Sequence, residues 1–188
     1  MRVKLGDVAQ EYRATLKSKK HDLPIVGLEH LIPREITLTD WSTNSDNTFT
    51  KLFHKEQMLF GRRRAYLKKA ALAPFDGICS GDITVIEAKS EKLLPKLLPF
   101  IIQNDTFFDF AVSKSAGSLS PRVKWEHLQE FEFELPQITE QHKLAKMLWA
   151  ANTAKEAYKN LISATDNLVK SQFKSGEPDE LRELSHAI

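Results

Sequence analysis

The chain of 188 residues has little cysteine, glycine or proline and no long apolar run, and each shortage excludes a class of protein. One cysteine, Cys79, excludes a disulfide scaffold and a cysteine-rich zinc site. A single thiol fits a reducing compartment. Seven Gly and eight Pro exclude collagen-like and Pro/Gly low-complexity chains. No apolar stretch approaches the ~20 residues of a membrane span. The opening Met1-Arg-Val-Lys-Leu-Gly-Asp-Val has no secretory apolar core. The chain therefore reads as cytoplasmic, with no membrane partner. Familiar catalytic signatures are missing as well: no phosphate-binding or dinucleotide glycine loop, no His-Glu-x-x-His and no Gly-x-Ser-x-Gly. An adenine methyltransferase's Asn-Pro-Pro-aromatic element is absent too. The six histidines, His21, His30, His54, His127, His142 and His186, lack metal-ligand spacing. No catalytic residue, metal ligand or resident cofactor is assigned.

What remains is a foldable chain with uneven charge. Apolar residues make up 41% and charged residues 28%, which supports a real core. Net charge is only +2, yet residues 1–70 hold 14 Lys and Arg against 8 Asp and Glu. A basic N-terminal third fits a polyanion partner. Scattered surface charge gives the same count.

The expected fold class is α+β: a mixed α/β unit over 1–136, one long coiled-coil-forming helix over 137–173, and a polar C-terminal tail over 174–188. Asp7-Val-Ala-Gln-Glu-Tyr reads as a helical turn and Leu23-Pro-Ile-Val-Gly-Leu as a strand. Thr43 to Thr48 reads as a polar loop. Gln57-Met-Leu-Phe-Gly and the β-branched Ile83-Thr-Val-Ile-Glu read as strands. Between them Phe75 to Asp82 looks like turn chemistry, with Gly77 and Gly81 at awkward backbone angles. Leu93 to Val112 has helical periodicity, with Pro95 and Pro99 near helix starts. Phe131-Glu-Phe-Glu-Leu-Pro alternates as a half-buried closing strand. From Gln137 to Ser175 there is neither Gly nor Pro, and Thr139 is the expected N-cap.

Within that last stretch two apolar rows overlap. Met147, Ala151, Ala154, Tyr158, Leu161, Thr165, Leu168 and Gln172 step by four and three; Leu144, Leu148, Ile162 and Val169 belong to the second row. The face is wider than a two-stranded seam needs. A helix of ~35 residues is ~50 Å long. A domain of this size cannot cover it along its length, so it should pack on another helix. Leu144, Met147, Leu148, Ala151, Tyr158, Leu161, Ile162, Leu168 and Val169 are the candidate dimer residues.

Two clusters suit nucleic acid. Arg62, Arg63, Arg64, Lys68 and Lys69 place five cations in eight residues around Tyr66, directly after a strand end. Arginine makes bidentate contacts to guanine edges and phosphates, and tyrosine stacks. The alternative is a solvated charged loop. The second cluster is Lys114, Ser115, Ser118, Ser120, Arg122 and Lys124 around Gly117, where hydroxyls and backbone N–H groups suit phosphates. The alternative is a polar loop before a strand. One pattern points to an enzyme instead. Asp76, Glu87 and Lys89 stand as Asp…Glu-Ala-Lys at a strand end, as in the metal core of the PD-(D/E)xK nucleases. Here Phe75 replaces the proline before the Asp, and a solvated strand end is the plainer account. A coiled-coil scaffold that binds only protein is the third class.

Four stretches together resemble the specificity subunit of type I restriction-modification enzymes. They are Leu5-Gly-Asp-Val; Phe60 to Ala70 with Phe75 to Ile86; Ser115 to Arg122 with Leu128 to Phe133; and Leu135-Pro-Gln-Ile-Thr-Glu-Gln-His-Lys-Leu-Ala, which resembles the opening of the spacer helix. The resemblance covers about residues 1–173. It implies a target recognition domain that reads one half of a bipartite double-stranded DNA sequence, and a spacer helix that sets the distance between two such domains. It also implies DNA methyltransferase (modification) subunits and a restriction subunit as partners. S-adenosylmethionine, ATP and Mg²⁺ would belong to those partners, and the specificity subunit is not itself an enzyme. The usual family chain has two recognition domains and two helical regions, whereas this one has one of each. It is thus either a half-subunit that forms a homodimer or a fragment, and the run from a family-like opening to a polar tail favours the half-subunit.

Overall fold

The structure is a computed structural model and describes residues 1–17, 23–43, 48–89 and 91–175. The loop expected over 43–48 falls at 44–47 outside the described residues, as do His21, His186 and the tail beyond residue 175. The elements run β1 (Arg2–Lys4), α1 (Leu5–Val8), β2 (Ala9–Glu11), β3 (Ile25–Val26), β4 (Lys51–Phe53), β5 (Met58–Gly61), β6 (Ala70–Leu72), β7 (Gly77–Cys79) and β8 (Ile83–Ala88). Then follow α2 (Leu98–Ile102), α3 (Asp105–Ser113), α4 (Trp125–Leu128), β9 (Glu132–Glu134) and α5 (Ile138–Ser175).

The centre is a four-stranded antiparallel sheet in the order β2-β8-β5-β6. Its register explains its two cores. Leu59 pairs with Val85 and Ala71, while Phe60 pairs with Thr84 and Ala70. Successive side chains point to opposite faces, so these two rows bury against different layers. Leu59, Val85, Ala71 and Ile83 join Val26, Phe53 and Cys79 from a second sheet, ordered β3-β7-β4. On the other face Phe60 meets α3, edge-on to Phe107 at 5.5 Å and stacked with Phe108 at 5.8 Å between ring centroids. Every residue of β5 is buried. That explains its unbroken apolar sequence, since a strand covered on both faces needs no polar alternation. Each buried phenylalanine is worth about 1.5–3 kcal/mol.

Several expectations are corrected in detail. Gly77 and Gly81 are not at positive φ; among the described residues the glycine there is Gly117, at 113°. Gly77 lies in a strand instead, paired with Phe53. Its small size matters because a Cβ would stand 2.5 Å from Pro24 O and 2.6 Å from Phe53 Cζ. The helical turn expected from Asp7 begins at Leu5, and Ala9–Glu11 is strand. The helical stretch from Leu93 divides into a 3₁₀ turn, α2 and α3, with prolines in the first turns of the first two. Thr139 lies inside α5, not at its N-cap.

The chain divides into two compact units, Met1–Lys146 and Met147–Ile188. The first closes through β9, which pairs antiparallel with β1. The opening turn of α5 is fixed there by Gln141, which is buried. Its Oε1 accepts the Leu94 N–H at 2.8 Å, and its Nε2 donates to the carbonyls of Pro136 (3.0 Å) and Lys92 (3.1 Å). A buried amide with its donors and acceptor satisfied specifies one arrangement. In the second unit α5 continues as helix to Ser175 and keeps its apolar residues in water: Met147, Tyr158, Leu161, Ile162, Leu168 and Val169 are all exposed. No described helix is long and apolar enough to cross a membrane.

Candidate nucleic-acid interface

The two cation clusters, with 44 residues between them in sequence, are joined by backbone pairing. β5 ends at Gly61, whose N–H donates to Lys69 O at 2.9 Å. The chain then runs between two neighbours. Arg62 N–H donates to Asp82 O at 2.9 Å, and Val123 N–H donates to Arg62 O at 3.0 Å. Arg64 N–H donates to Pro121 O at 2.8 Å. Arg63 and Arg122 form an antiparallel bridge, and so do Ala116 and Arg122, which exchange hydrogen bonds of 2.9 and 3.0 Å. Residues 116–122 are therefore a hairpin whose edge adds to the strand end at Arg62–Arg64.

One carboxylate organises the cations. Asp82 accepts from Arg122 Nε at 2.7 Å and Nη2 at 3.2 Å, and stands 3.6 Å from Arg63 Nη1. Arg63 also donates to Ser120 Oγ at 3.0 Å. The hydrogen-bonded Arg122 guanidinium, with Arg63 and Arg62 nearby, holds the Asp82 carboxyl below its usual range despite partial burial. Paired guanidinium groups held flat have further N–H donors for a phosphate or a base edge. Asp82 was not among the sequence-predicted residues. Its signal was the β5–β8 register: Gly61 pairs with Ile83, which sets Asp82 beside Arg62.

The other predicted residues divide into two groups. Arg64 and Lys68 both adopt left-handed backbone (φ 54° and 51°) and bracket a 3₁₀ turn carrying Tyr66. Among the described residues the exposed Arg64 side chain has no partner, and Tyr66 is 53% exposed. Ser118 and Lys124 are exposed too. Lys114 lies over the Phe110 ring at 5.6 Å. By contrast, Lys68 Nζ binds Asp105 Oδ1 at 2.5 Å, and Lys69 Nζ donates to Leu28 O at 2.7 Å. Ser115 Oγ donates to Ala111 O at 2.8 Å. The Arg62 Nε is buried and meets no acceptor among the described residues. Lys68, Lys69, Lys114 and Ser115 thus contact groups of the domain itself and Arg62 is half-buried, while Arg63, Arg64, Tyr66, Ser118, Ser120, Arg122 and Lys124 make the outward patch.

The nuclease pattern does not assemble. Asp76 accepts from Lys55 N–H at 2.7 Å and faces His54 Nδ1 at 3.2 Å. Glu87 accepts from Gln10 and Gln57 amides, each at 2.7 Å, and Lys89 Nζ donates to Gly6 O at 2.5 Å. Each group is committed to a different partner. Among the described residues no set of three or more His, Cys, Asp or Glu could hold a metal ion. Cys79 is buried, which pushes its thiol up to about 12; a thiol held protonated is a poor nucleophile.

The fold and this surface define an α+β domain with an ordered arginine patch, followed in sequence by a long helix with an exposed apolar face. The chain belongs to the family of the Type I restriction modification DNA specificity domain, which it matches over residues 1–174. It is similar to the Type I restriction enzyme EcoDI specificity subunit of Escherichia coli, 29% identical over 123 residues, covering 63% of this chain and 27% of that protein. Among solved structures it is similar to the HsdS subunit from Thermoanaerobacter tengcongensis: TM-score 0.69, 21% identity, 93% of this chain and 47% of that one. A chain of a type I R-M system, solved for its complex assembly and conformational transition, gives TM-score 0.70 at 19% identity over 94% and 48%. The type I S subunit from M. genitalium gives 0.63 at 13% over 91% and 44%. The chain thus spans about a quarter of the curated relative and about half of each solved chain.

Proposed function

We propose that this chain reads one half of a bipartite duplex DNA target for a type I restriction-modification system. Its recognition domain is 1–136, and the helix over 137–173 is the spacer that joins it to a second domain. The observation that carries this reading is the backbone pairing of the Arg62–Arg64 strand end with the 116–122 hairpin, braced by Asp82. That arrangement gathers outward cations beside an exposed tyrosine, within a family described by DNA specificity. Phosphate contacts from such cations supply affinity and register, while base-edge contacts supply sequence choice. The chain does no chemistry of its own. S-adenosylmethionine, ATP and Mg²⁺ serve the methyltransferase and restriction subunits that dock on it.

Two copies pair through the apolar face of α5 and read a symmetric, interrupted sequence. A two-fold dimer presents the same surface twice, so its target repeats in inverted orientation.

The test is duplex binding by the chain assembled with its methyltransferase, measured across salt concentrations. Replacing Arg64 and Lys124 together by Ala should lower the slope of log affinity against log salt by about 0.9 for each phosphate that is no longer neutralised. A slope unchanged in that variant would exclude this surface as the one that meets DNA.

A further inference from the structure

The hairpin over 116–122 ends in Gly117-Ser-Leu-Ser-Pro121, and Leu119 stands at its apex, 89% exposed. It has the highest exposure of any large apolar residue in the described part of the chain. A single exposed leucine is ordinary on a protein surface. This one is set apart by its setting. The left-handed Gly117 turns the ribbon, and the pair of Ala116–Arg122 hydrogen bonds closes it. The flanking Ser120 is pinned by Arg63, and Pro121 O is bound by Arg64 N–H. Leu119 is therefore carried at the tip of a braced hairpin loop, with Arg122 in its closing pair and Arg63 and Arg64 on the strand end paired with it. The major groove, about 12 Å wide, admits a projecting tip of that kind.

We propose that Leu119 is a specificity residue that packs on the 5-methyl group of a thymine in the major groove. The proposal rests on the DNA-reading function above. The arginines at the base of the hairpin neutralise phosphates and fix its depth. The apex then meets base edges, where the thymine methyl is the apolar feature a leucine can recognise. Leucine carries no charge and cannot hydrogen-bond, so it contributes discrimination without changing the salt dependence.

The probe is a set of duplexes carrying the interrupted motif that methylation mapping assigns to this chain. In them each thymine of one half-site is replaced in turn by uracil, which deletes only the methyl. Binding is measured with the chain assembled with its methyltransferase, as wild type, Leu119→Ser and Arg64→Ala. At one position uracil should weaken wild-type binding about fourfold, the factor expected for one buried methyl. Leu119→Ser should be weaker on the parent duplex, indifferent to uracil there, and unchanged in salt slope and melting temperature. If no thymine shows this coupling, or if Leu119→Ser binds as wild type while Arg64→Ala lowers the salt slope, the Leu119 assignment fails and the DNA-reading function stands. If neither variant alters binding, both fail.

Discussion

Asp82 shows how one residue can fix a surface it does not belong to by charge. A carboxylate in a cationic patch repels DNA phosphates, yet it lines up Arg63 and Arg122 and joins β8 to the hairpin. Asp82→Ala should therefore weaken DNA binding although it removes a negative charge. It should also lower stability by about 1 kcal/mol, read by denaturant unfolding, since hydrogen bonds to charged groups are worth ~1.5–3 and Arg122 is partly solvated. The pH dependence follows from the same ion pair. Its folded pKa is depressed, so the stabilisation is present above the ordinary carboxylate value near 4 and is lost as pH falls through the lower folded value. Protection of the Ala116 and Arg122 amides, relative to their intrinsic exchange rates, should fall ahead of that of β5 amides as pH drops through the depressed Asp82 value; protection that is the same with Asp82 ionised and protonated would contradict the bracing role. The arginine clusters were legible in the sequence because five cations in eight residues are a local signal. Asp82 was not, because its role exists only once strand pairing brings residues 63, 82 and 122 together. The burial of Lys69 against a carbonyl of Leu28 is tertiary in the same way.

At the scale of elements, the strands with strong side-chain patterns were readable and those made by packing were not. β8 is β-branched and β5 is uniformly apolar, so both could be placed from composition. β7 could not, because Asp-Gly reads as a turn while the observed Gly77 answers a demand for space. Gly77→Ala should destabilise the domain by about 1–3 kcal/mol through overpacking against a backbone oxygen that cannot yield. Phe107→Ala should cost about 3–5 kcal/mol, since it empties the layer between β5 and α3. Thermal unfolding of both variants checks the order of the two effects. α5 was the most legible element, because 39 residues without Gly or Pro and with a heptad rhythm leave little choice. Its capping was not legible, since the start is held by buried Gln141 and not by a Thr139 cap. Leu161→Glu with Leu168→Glu should leave the melting of the recognition domain unchanged and shift the sedimenting species from dimer to monomer. A persisting dimer would locate the pairing surface elsewhere.

In the function proposed above, the whole molecule divides its labour: a domain that reads, a helix that measures, and partners that react. The described structure gives the domain a braced arginine surface and gives the helix an exposed apolar face. Reading and measuring together predict an interrupted, symmetric DNA motif. The most direct test is methyladenine mapping by long-read sequencing in cells with the gene present, deleted, and carrying Arg63→Ala, Arg64→Ala and Arg122→Ala together. One interrupted palindromic motif should lose methylation on deletion and in the triple variant, while all other motifs persist. A methylome that is the same in all three cells would contradict the reading role.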